Sequence, residues 1–336
     1  MKKLLTLCLS VSMLAGLSAC SIPQENTSQE LVIYSPNSDG LIEATIPLFE
    51  EETGITVRLQ QAGTGELIKK LQSEKNDPIA DVMFGGAHSQ FIQNADLFEK
   101  YVSDNDKNVI ESYQNTSGFT TSYVLDGSVL IVNKDLIGDI KIEGYADLLN
   151  PALKGKIATA DPSSSSSAFA QLTNILLAQG GYTDEEAWKY VEELFVNIDG
   201  KIEGSSSSVY KKVADGEMTV GLTYEDPVLT LINDGANVEI IYPEEGSVFL
   251  PATSAIVKDA KNMENAKKFI DFLISQQMQD IYGTETTNRP VLENAKTSDT
   301  MKPMSEIPTL VEDMDYINEN KTQIVDKFKD IFASIN

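Results

Sequence analysis

Hydrophobic and polar positions near the start of the chain follow each other in the order of a β–α–β–α unit. Residues 31–34 are apolar and β-branched, and the polar segment 35–40 follows them directly. Apolar residues then recur at helical spacing up to Gly54, where glycine can adopt the left-handed C-cap conformation. A strand over 55–59 and a helix from Leu67 complete the predicted unit.

Each of the first three predicted strands ends in a turn rich in serine, asparagine, threonine or glycine. Parallel strands place their carboxyl ends at one edge of a sheet, where each following helix offers unpaired N–H groups and a partial positive charge. Ordinary helix capping is the alternative for each turn taken alone. We expect a small-molecule site that includes Ser35, Asn37, Thr64, Gly65 and Gly86.

The second half of the chain repeats this arrangement. Strand 156–160 runs into the serines of 163–167, and a second serine run, 205–208, precedes another helix. Strand 218–223 ends in an aromatic residue and two acids. The candidate ligand-binding residues here are Ser164, Ser165, Ser166, Ser206, Tyr224, Glu225 and Asp226. Serine caps, a low-complexity loop and an N-cap role for Asp226 are the alternatives.

Two β-rich segments, 120–136 and 251–257, have the length and composition of crossovers that leave one lobe and return to it. An amphipathic helix is predicted over 262–277, and the closing stretch 305–335 is predicted to be helical and to clamp the lobes. Arg289, one of two arginines in the chain, falls in a loop.

The N-terminus has the pattern of a secretion signal. Two lysines precede the apolar run 4–14, and the sequence Leu-Ser-Ala-Cys ending at Cys20 resembles the lipobox of bacterial lipoproteins. This resemblance implies a signal peptide over 1–19, a flexible tether over 20–30 and a lipid on Cys20 that anchors the exported chain to the outer face of the bacterial cell membrane. A plain signal peptide with an incidental cysteine is the alternative.

Charge and rare residues exclude several classes of function. The formal net charge of −25 becomes −27 when Lys2 and Lys3 leave with the signal, and such a surface repels nucleic acid. Cys8 also leaves and Cys20 would carry lipid, which excludes thiol catalysis and thiolate metal sites. His88 is the single histidine and more often a surface or capping residue than a ligand, so a Ser-His-Asp mechanism lacks its usual base. We expect neither an enzyme nor a cofactor.

Several landmarks in order along residues 30–330 resemble extracellular solute-binding proteins of ABC importers. The branch is the one that binds ferric iron, aminoethylphosphonate, hexose phosphate or thiamine. The landmarks are LVIYSPNSDGLIEATIPLFEEETGI, AGTGELIKKL, DVMFGGAHSQF, ADPSSSSSAFAQL, VADGEMTVGLTYED, IIYPEEGS and NAKKFIDFLIS. The resemblance implies an α/β, two-lobed periplasmic-binding-protein-like fold of type II, in which each lobe has a mixed, mostly parallel sheet flanked by helices and the ligand cleft lies between the lobes. It also implies a monomer that traps its ligand between the lobes and an ABC permease and ATPase as partners.

The implied domain boundaries follow from the two crossovers. Lobe 1 would comprise residues 31–122 and 252–300, and lobe 2 residues 123–251. Residues 301–336 would form C-terminal helices that pack across both lobes.

The ligand class is predicted from two positions at which this chain differs from the ferric-iron-binding branch. That branch places a histidine after the first strand and a Tyr-Tyr pair at a later strand end, whereas this chain has Asn37 and the single Tyr224 there. Neutral donors at helix starts suit a small organic phosphate or phosphonate, whose sugar hydroxyls or amine would meet Glu225 and Asp226. The alternative is ferric iron, with candidate oxygen ligands Tyr34, Glu66, Tyr224 and Glu225.

Three further alternatives remain open. A thiamine-type ligand fits the same branch, and a sensory lipoprotein that signals to a membrane kinase would share its fold. An exported hydrolase that uses a serine run as nucleophile would need a base and a G-x-S-x-G elbow, and the sequence has no such elbow.

Overall fold

The computed structural model describes residues 29–335, in which strands and helices alternate. The strands are β1 (Glu30–Ser35), β2 (Thr56–Gln61), β3 (Val82–Ala87), β4 (Thr121–Asn133), β5 (Ile157–Ala158), β6 (Val220–Tyr224), β7 (Val238–Ile241), β8 (Ser247–Ile256), β9 (Arg289–Pro290) and β10 (Thr309–Leu310). The helices are α1 (Asp39–Thr53), α2 (Thr64–Ser73), α3 (His88–Gln93), α4 (Ser166–Ala178), α5 (Glu185–Ile198), α6 (Ser206–Ala214), α7 (Glu225–Asn233), α8 (Met263–Leu273), α9 (Gln276–Glu285) and α10 (Met314–Ile335). The predicted signal peptide and Cys20 lie outside the described residues.

The first part of the sheet, called lobe 1 below, has the order β2-β1-β3-β8-β4. β1 is parallel to β2 and β3, while β8 is antiparallel to β3 and β4. Alternating side chains of β1 enter different apolar clusters, because successive residues of a strand point to opposite faces. Leu31 and Ile33 pack with α1, α8 and α9, and Tyr34 packs with α2 and α3.

The second part, called lobe 2, is built on the far half of β4 in the order β7-β4-β6-β5. Leu130 and Val132 of β4 enter a cluster with α4, α5 and α10, and Val129 and Ile131 enter another with α6 and α7. Each lobe therefore has an apolar cluster on both faces of its sheet.

β4 and β8 connect the two lobes. The first half of β4 pairs with β8, and its residues from Ser128 onward pair with β6 and β7. β8 returns to β3 in lobe 1 at its carboxyl end. The predicted crossovers over 120–136 and 251–257 are therefore found, and the predicted two-lobed α/β class is confirmed.

The C-terminal helix α10 packs on lobe 2. Its buried residues Ile317, Ile324 and Phe328 join the α4–α5 cluster, and the Phe328 and Phe195 rings meet at 5.0 Å. Its first turn lies near lobe 1, since the charge of Asp315 acts on His88 of α3. The exact lobe boundaries stay a prediction.

The predicted helix over 262–277 is divided in the structure. α8 ends at Leu273, and Ser275 caps α9, where its hydroxyl accepts a hydrogen bond from the Met278 amide at 3.2 Å. Within residues 29–335, none of the helices has the length and apolar character that crossing a bilayer requires.

Candidate ligand-binding site

The carboxyl ends of β1 and β3 are joined by side-chain hydrogen bonds. The Ser35 hydroxyl donates to the Phe84 carbonyl at 2.6 Å, and Asn37 Nδ2 donates to the same oxygen at 3.1 Å. Tyr123 of β4 donates its hydroxyl proton to Asn37 Oδ1 at 2.8 Å. Ser35 is fully buried. Its hydroxyl therefore links the ends of β1 and β3, and direct contact of Ser35 with ligand stays a prediction.

The glycine pair after β3 allows a close approach of three turns. Gly85 and Gly86 have φ angles of +110° and +128°, which side chains rarely permit. A Cβ on Gly85 would lie 2.4 Å from Asn37 Oδ1, and one on Gly86 would lie 3.0 Å from Thr64 Cγ2. The structure thus brings together Asn37, Thr64 and Gly86, which the sequence placed at one sheet edge.

Two helices of lobe 1 begin at this edge without a side-chain cap. α1 has 15 residues and α2 has 10, and their N-cap residues Ser38 and Gly63 make no side-chain capping hydrogen bond. Thr64 is partly exposed and Gly65 is exposed. Gln61 Nε2 donates to the Asp39 carboxylate at 3.0 Å and so ties the second turn to the first helix start. First-turn N–H groups at these starts are available to an anion.

The serine runs of lobe 2 cap their own helices. Ser165 Oγ accepts from the Ala168 amide at 3.3 Å at the start of α4, and Ser205 Oγ accepts from the Ser208 amide at 3.4 Å at the start of α6. The capping alternative therefore holds for Ser165. The other predicted serines lie beside these caps: Ser164 and Ser166 are exposed and Ser206 is partly exposed.

Glu225 does not face open space as the sequence suggested. Its side chain is 1% exposed and forms an ion pair with Arg289, and Tyr242 donates a further hydrogen bond to it at 2.5 Å. Its carboxylate is satisfied within the protein, and its contact with ligand stays a prediction. Neither of these partners could be found from sequence spacing, because they lie 17 and 64 residues away.

Tyr224 and Asp226 flank this ion pair. Tyr224 is the N-cap residue of α7 and is partly exposed, and its ring meets the Tyr210 ring edge-on at 6.3 Å. Asp226 is the second residue of α7 and not its N-cap, and it accepts hydrogen bonds from Thr287 and Asn288. Burial raises the pKa of Asp226. The hydrogen bond from Thr287 lowers it, but the effect of burial is larger.

Asp126 on β4 lies beside Glu225 and Asp226 and was not among the residues predicted from the sequence. Its carboxyl group faces the backbone N–H groups of Glu225 and Asp226 at the start of α7. Burial, followed by the charges of those two acids, raises the pKa of Asp126 well above its usual range. An aspartate inside the long apolar run of β4 is the signal that could have indicated it.

The four alternative iron ligands are not brought together. Tyr34 is buried beside α2, and its hydroxyl donates to the Glu74 carboxylate at 3.0 Å, while Glu225 is held by Arg289. Glu66 is exposed on α2. Residues 29–335 contain no group of three or more His, Cys, Asp or Glu side chains that could hold a metal ion. Tyr34 and Glu225 thus have partners within the protein, and the set of candidate iron ligands stays a prediction.

A cavity of about 340 Å³ lies between α3, the crossing strands and the first turn of α10. Its walls include His88, Ser122, Pro251 and Asp315. Burial lowers the pKa of His88, and the charge of Asp315 opposes this. The cavity reaches His88, the first residue of α3, but its lining does not include Gly86, the serine runs or the start of α7.

Comparison with known proteins gives a consistent result. The family model described as bacterial extracellular solute-binding protein matches residues 31–284. Iron uptake protein A1 of Synechocystis is 25% identical, covering 79% of this chain and 76% of the relative. A putative 2-aminoethylphosphonate-binding periplasmic protein of Salmonella typhimurium is 24% identical, covering 87% and 88%. The periplasmic binding protein AfuA of Actinobacillus pleuropneumoniae, solved with fructose-6-phosphate bound, has a TM-score of 0.75 at 24% identity, covering 90% and 98%.

Proposed function

The chain belongs to the bacterial extracellular solute-binding protein family, and from this premise we propose that it captures a small organic phosphate or phosphonate for an ABC importer. The ligand binds between the two lobes and is delivered to the permease, which works with an ATPase. A relative named as a putative 2-aminoethylphosphonate-binding protein supports this class of ligand.

The observation that carries the proposal is the pair of uncapped helix starts in lobe 1. α1 and α2 begin at one sheet edge, where Thr64, Gly65 and Gly86 present neutral groups. Backbone N–H groups and hydroxyls at helix N-termini bind phosphate or phosphonate oxygens without a cationic side chain. Lobe 2 offers fewer free donors, because Ser165 and Ser205 already cap α4 and α6. The oxyanion therefore binds mainly to lobe 1.

Capture requires the lobes to close over the ligand. We assign lobe 1 to residues 31–122 and 252–300 and lobe 2 to residues 123–251, with β4 and β8 as the connecting strands. A ligand that contacts both lobes binds the closed state more tightly and so shifts the population towards it. Permease recognition of the closed state then couples capture to delivery.

The chain acts at the outer face of the membrane. Residues 1–19 direct export, Cys20 carries the lipid, and residues 20–30 tether the folded part. The family match to extracellular proteins supports export, and the Leu-Ser-Ala-Cys sequence supports the anchor.

A thermal-shift panel tests the proposed ligand class. Hexose phosphates, 2-aminoethylphosphonate, inorganic phosphate, thiamine and ferric salts are added separately, since a ligand that binds only the folded state raises the Tm with its concentration over Kd. We expect an organic phosphate or phosphonate to give the largest shift. A shift from thiamine alone, or from ferric salts alone, would contradict the proposal.

Ferric iron is the second candidate. The iron uptake protein of Synechocystis supports it, as do the rings of Tyr224, the N-cap of α7, and Tyr210 of α6, whose centroids lie 6.3 Å apart. Phenolate and carboxylate oxygens are hard ligands that suit Fe³⁺. Tyrosine-ligated iron gives a visible charge-transfer band, so its appearance on adding ferric citrate would favour this candidate.

A further inference from the structure

One carboxylate oxygen at the start of α7 lacks a partner. Asp126 is partly exposed as a residue, but its Oδ1 atom is buried and has no hydrogen-bond partner within residues 29–335. Buried acceptors are nearly always satisfied, so an unpaired one points to a donor from outside the chain. Asp126 lies on β4, between the two lobes, where a trapped ligand would be held.

The charge around this oxygen is not balanced. Glu225 is neutralised by Arg289, but in the described part of the chain neither Asp126 nor Asp226 forms an ion pair with a lysine or arginine. Asp226 uses hydrogen bonds from uncharged side chains instead. Two buried carboxyl groups thus lie together with no cation of their own.

Aromatic rings border the same region. The charge of Asp126 acts on the Tyr224 phenol, and Tyr224 meets Tyr210 edge-on. An aromatic face attracts a cation, and the attraction is stronger away from bulk water. Carboxylates and aromatic rings together are the groups that recognise an ammonium.

We propose that the ligand carries a cationic amine at the end opposite its phosphonate or phosphate, and that Asp126 Oδ1 accepts a hydrogen bond from this ammonium beside Tyr224. The inference rests on the proposed function and narrows its substrate class to aminoalkyl phosphonates and phosphates. The anionic group binds the helix starts of lobe 1, and the ammonium binds the acidic start of α7 in lobe 2. Ligand charges and site charges are then matched at both ends.

The orientation of the ligand between the lobes follows from the groups that already lie at each helix start. α1 and α2 lack side-chain caps, and their first-turn acids Asp39 and Glu66 are exposed, whereas the buried Asp126 carboxyl group faces the start of α7. A phosphonate placed at α7 would meet that carboxyl group and be repelled. A sugar hydroxyl could donate to Asp126 but would bring no charge, and charge-assisted hydrogen bonds are about twice as strong as neutral ones.

Two ligands that differ only in the cationic group test this inference. 2-Aminoethylphosphonate and n-propylphosphonate have the same number of heavy atoms, with the ammonium replaced by a methyl group. Calorimetric titration of the purified protein should show the amine binding about tenfold tighter or more, as expected of a hydrogen bond to a charged group. Asp126→Asn should abolish this preference and retain binding of n-propylphosphonate.

Asp106→Asn is the matched control. Asp106 is also a buried aspartate whose pKa is raised by burial, but both of its carboxylate oxygens accept hydrogen bonds from the Asn115 amide at 3.1 Å, away from α7. Its substitution removes the same charge and should keep the preference. If Asp126→Asn does not fold, the affinities of the natural protein for the two ligands still test whether the site prefers a cationic amine.

The outcomes separate the inference from the function on which it rests. Equal affinity for both phosphonates, or tighter binding of glucose-6-phosphate than of the amine, overturns the inference and leaves the proposed function standing. A preference that persists in Asp126→Asn overturns the assignment to Asp126. Failure of every phosphate and phosphonate to bind overturns the proposed function itself.

Discussion

Glu225 and Arg289 form a bidentate ion pair between the start of α7 and β9. Arg289 Nε lies 2.9 Å from Glu225 Oε2, and Nη2 lies 2.5 Å from Oε1. The two side chains are 1% and 3% exposed. β9 pairs with β4 at Leu125, next to Asp126, so the ion pair fixes α7 against the strand that connects the lobes.

Removing one partner of this pair should strongly destabilise the protein. Arg289→Ala leaves the Glu225 carboxylate buried without its cation, and such a loss costs about 3–5 kcal/mol of unfolding free energy. Urea denaturation measures the change. Arg58→Ala is the control, since the Arg58–Glu30 pair is exposed and contributes about 0–1 kcal/mol. Equal losses of unfolding free energy in the two variants would show that the buried pair stabilises the protein no more than the exposed pair does.

Gly85→Ala should destabilise lobe 1 and disturb its sheet edge. The new Cβ would lie 2.4 Å from Asn37 Oδ1, and the φ of +110° adds backbone strain, of order 1–3 kcal/mol. Displacement of Asn37 would also break its hydrogen bond with Tyr123. Thermal unfolding should show the loss, whereas Gly204→Ala, which meets no atom within 4 Å, should be nearly neutral. A stable Gly85→Ala with unchanged ligand affinity would contradict the geometry.

Asp126→Asn should stabilise the ligand-free protein at neutral pH. The pKa of Asp126 is raised by burial and by the charges of Asp226 and Glu225, so its ionised form destabilises the folded state. Removal of an unpaired buried charge should raise the unfolding free energy by about 1–3 kcal/mol.

The gain in unfolding free energy from Asp126→Asn should decrease as the pH falls. Because the folded-state pKa is raised, the penalty is complete above that pKa and vanishes as pH falls to the unfolded value of about 3.9. Tyr224, Glu225 and Asp226 face the same carboxyl group, and Arg289 balances Glu225. The difference in Tm between the two proteins should therefore shrink from pH 7.5 to pH 4.5, and a constant difference would refute the raised pKa.

Thr64→Asp should abolish binding of the anionic ligand. Thr64 is the first residue of α2, whose N-cap Gly63 offers no side chain, so a carboxylate there would occupy the free N–H groups and repel a phosphonate. The helix itself should gain up to about 1 kcal/mol. Titration with 2-aminoethylphosphonate should give no measurable heat, whereas Thr64→Ser should still bind. Undiminished affinity in Thr64→Asp would place the anion elsewhere.

The sequence predicted the fold because its patterns are local. The β–α–β–α unit and the two crossovers depend on residues within one or two elements, and each is found. The break at Ser275 was missed because apolar spacing continues across it and only the serine cap marks a new helix.

The candidate site was predicted less well because its decisive contacts are long-range. Asn37 and Thr64 could be placed at one sheet edge from strand order alone. The partner of Glu225 could not be identified, since Arg289 lies 64 residues away on the short strand β9. Nothing in the local sequence shows whether a serine run caps its own helix, as Ser165 does, or remains free.

The distance along the chain between β3 and β8 has a consequence for biogenesis. The Ser254 hydroxyl donates to the Met83 carbonyl across 171 residues, and β8 is the strand that covers the open edge of β3. A chain that emerges from its N-terminus first cannot close this sheet until nearly all of lobe 2 has followed. Translocation through a narrow secretion channel requires an unfolded polypeptide. The strand order delays folding of lobe 1 and so helps to keep the chain unfolded during translocation.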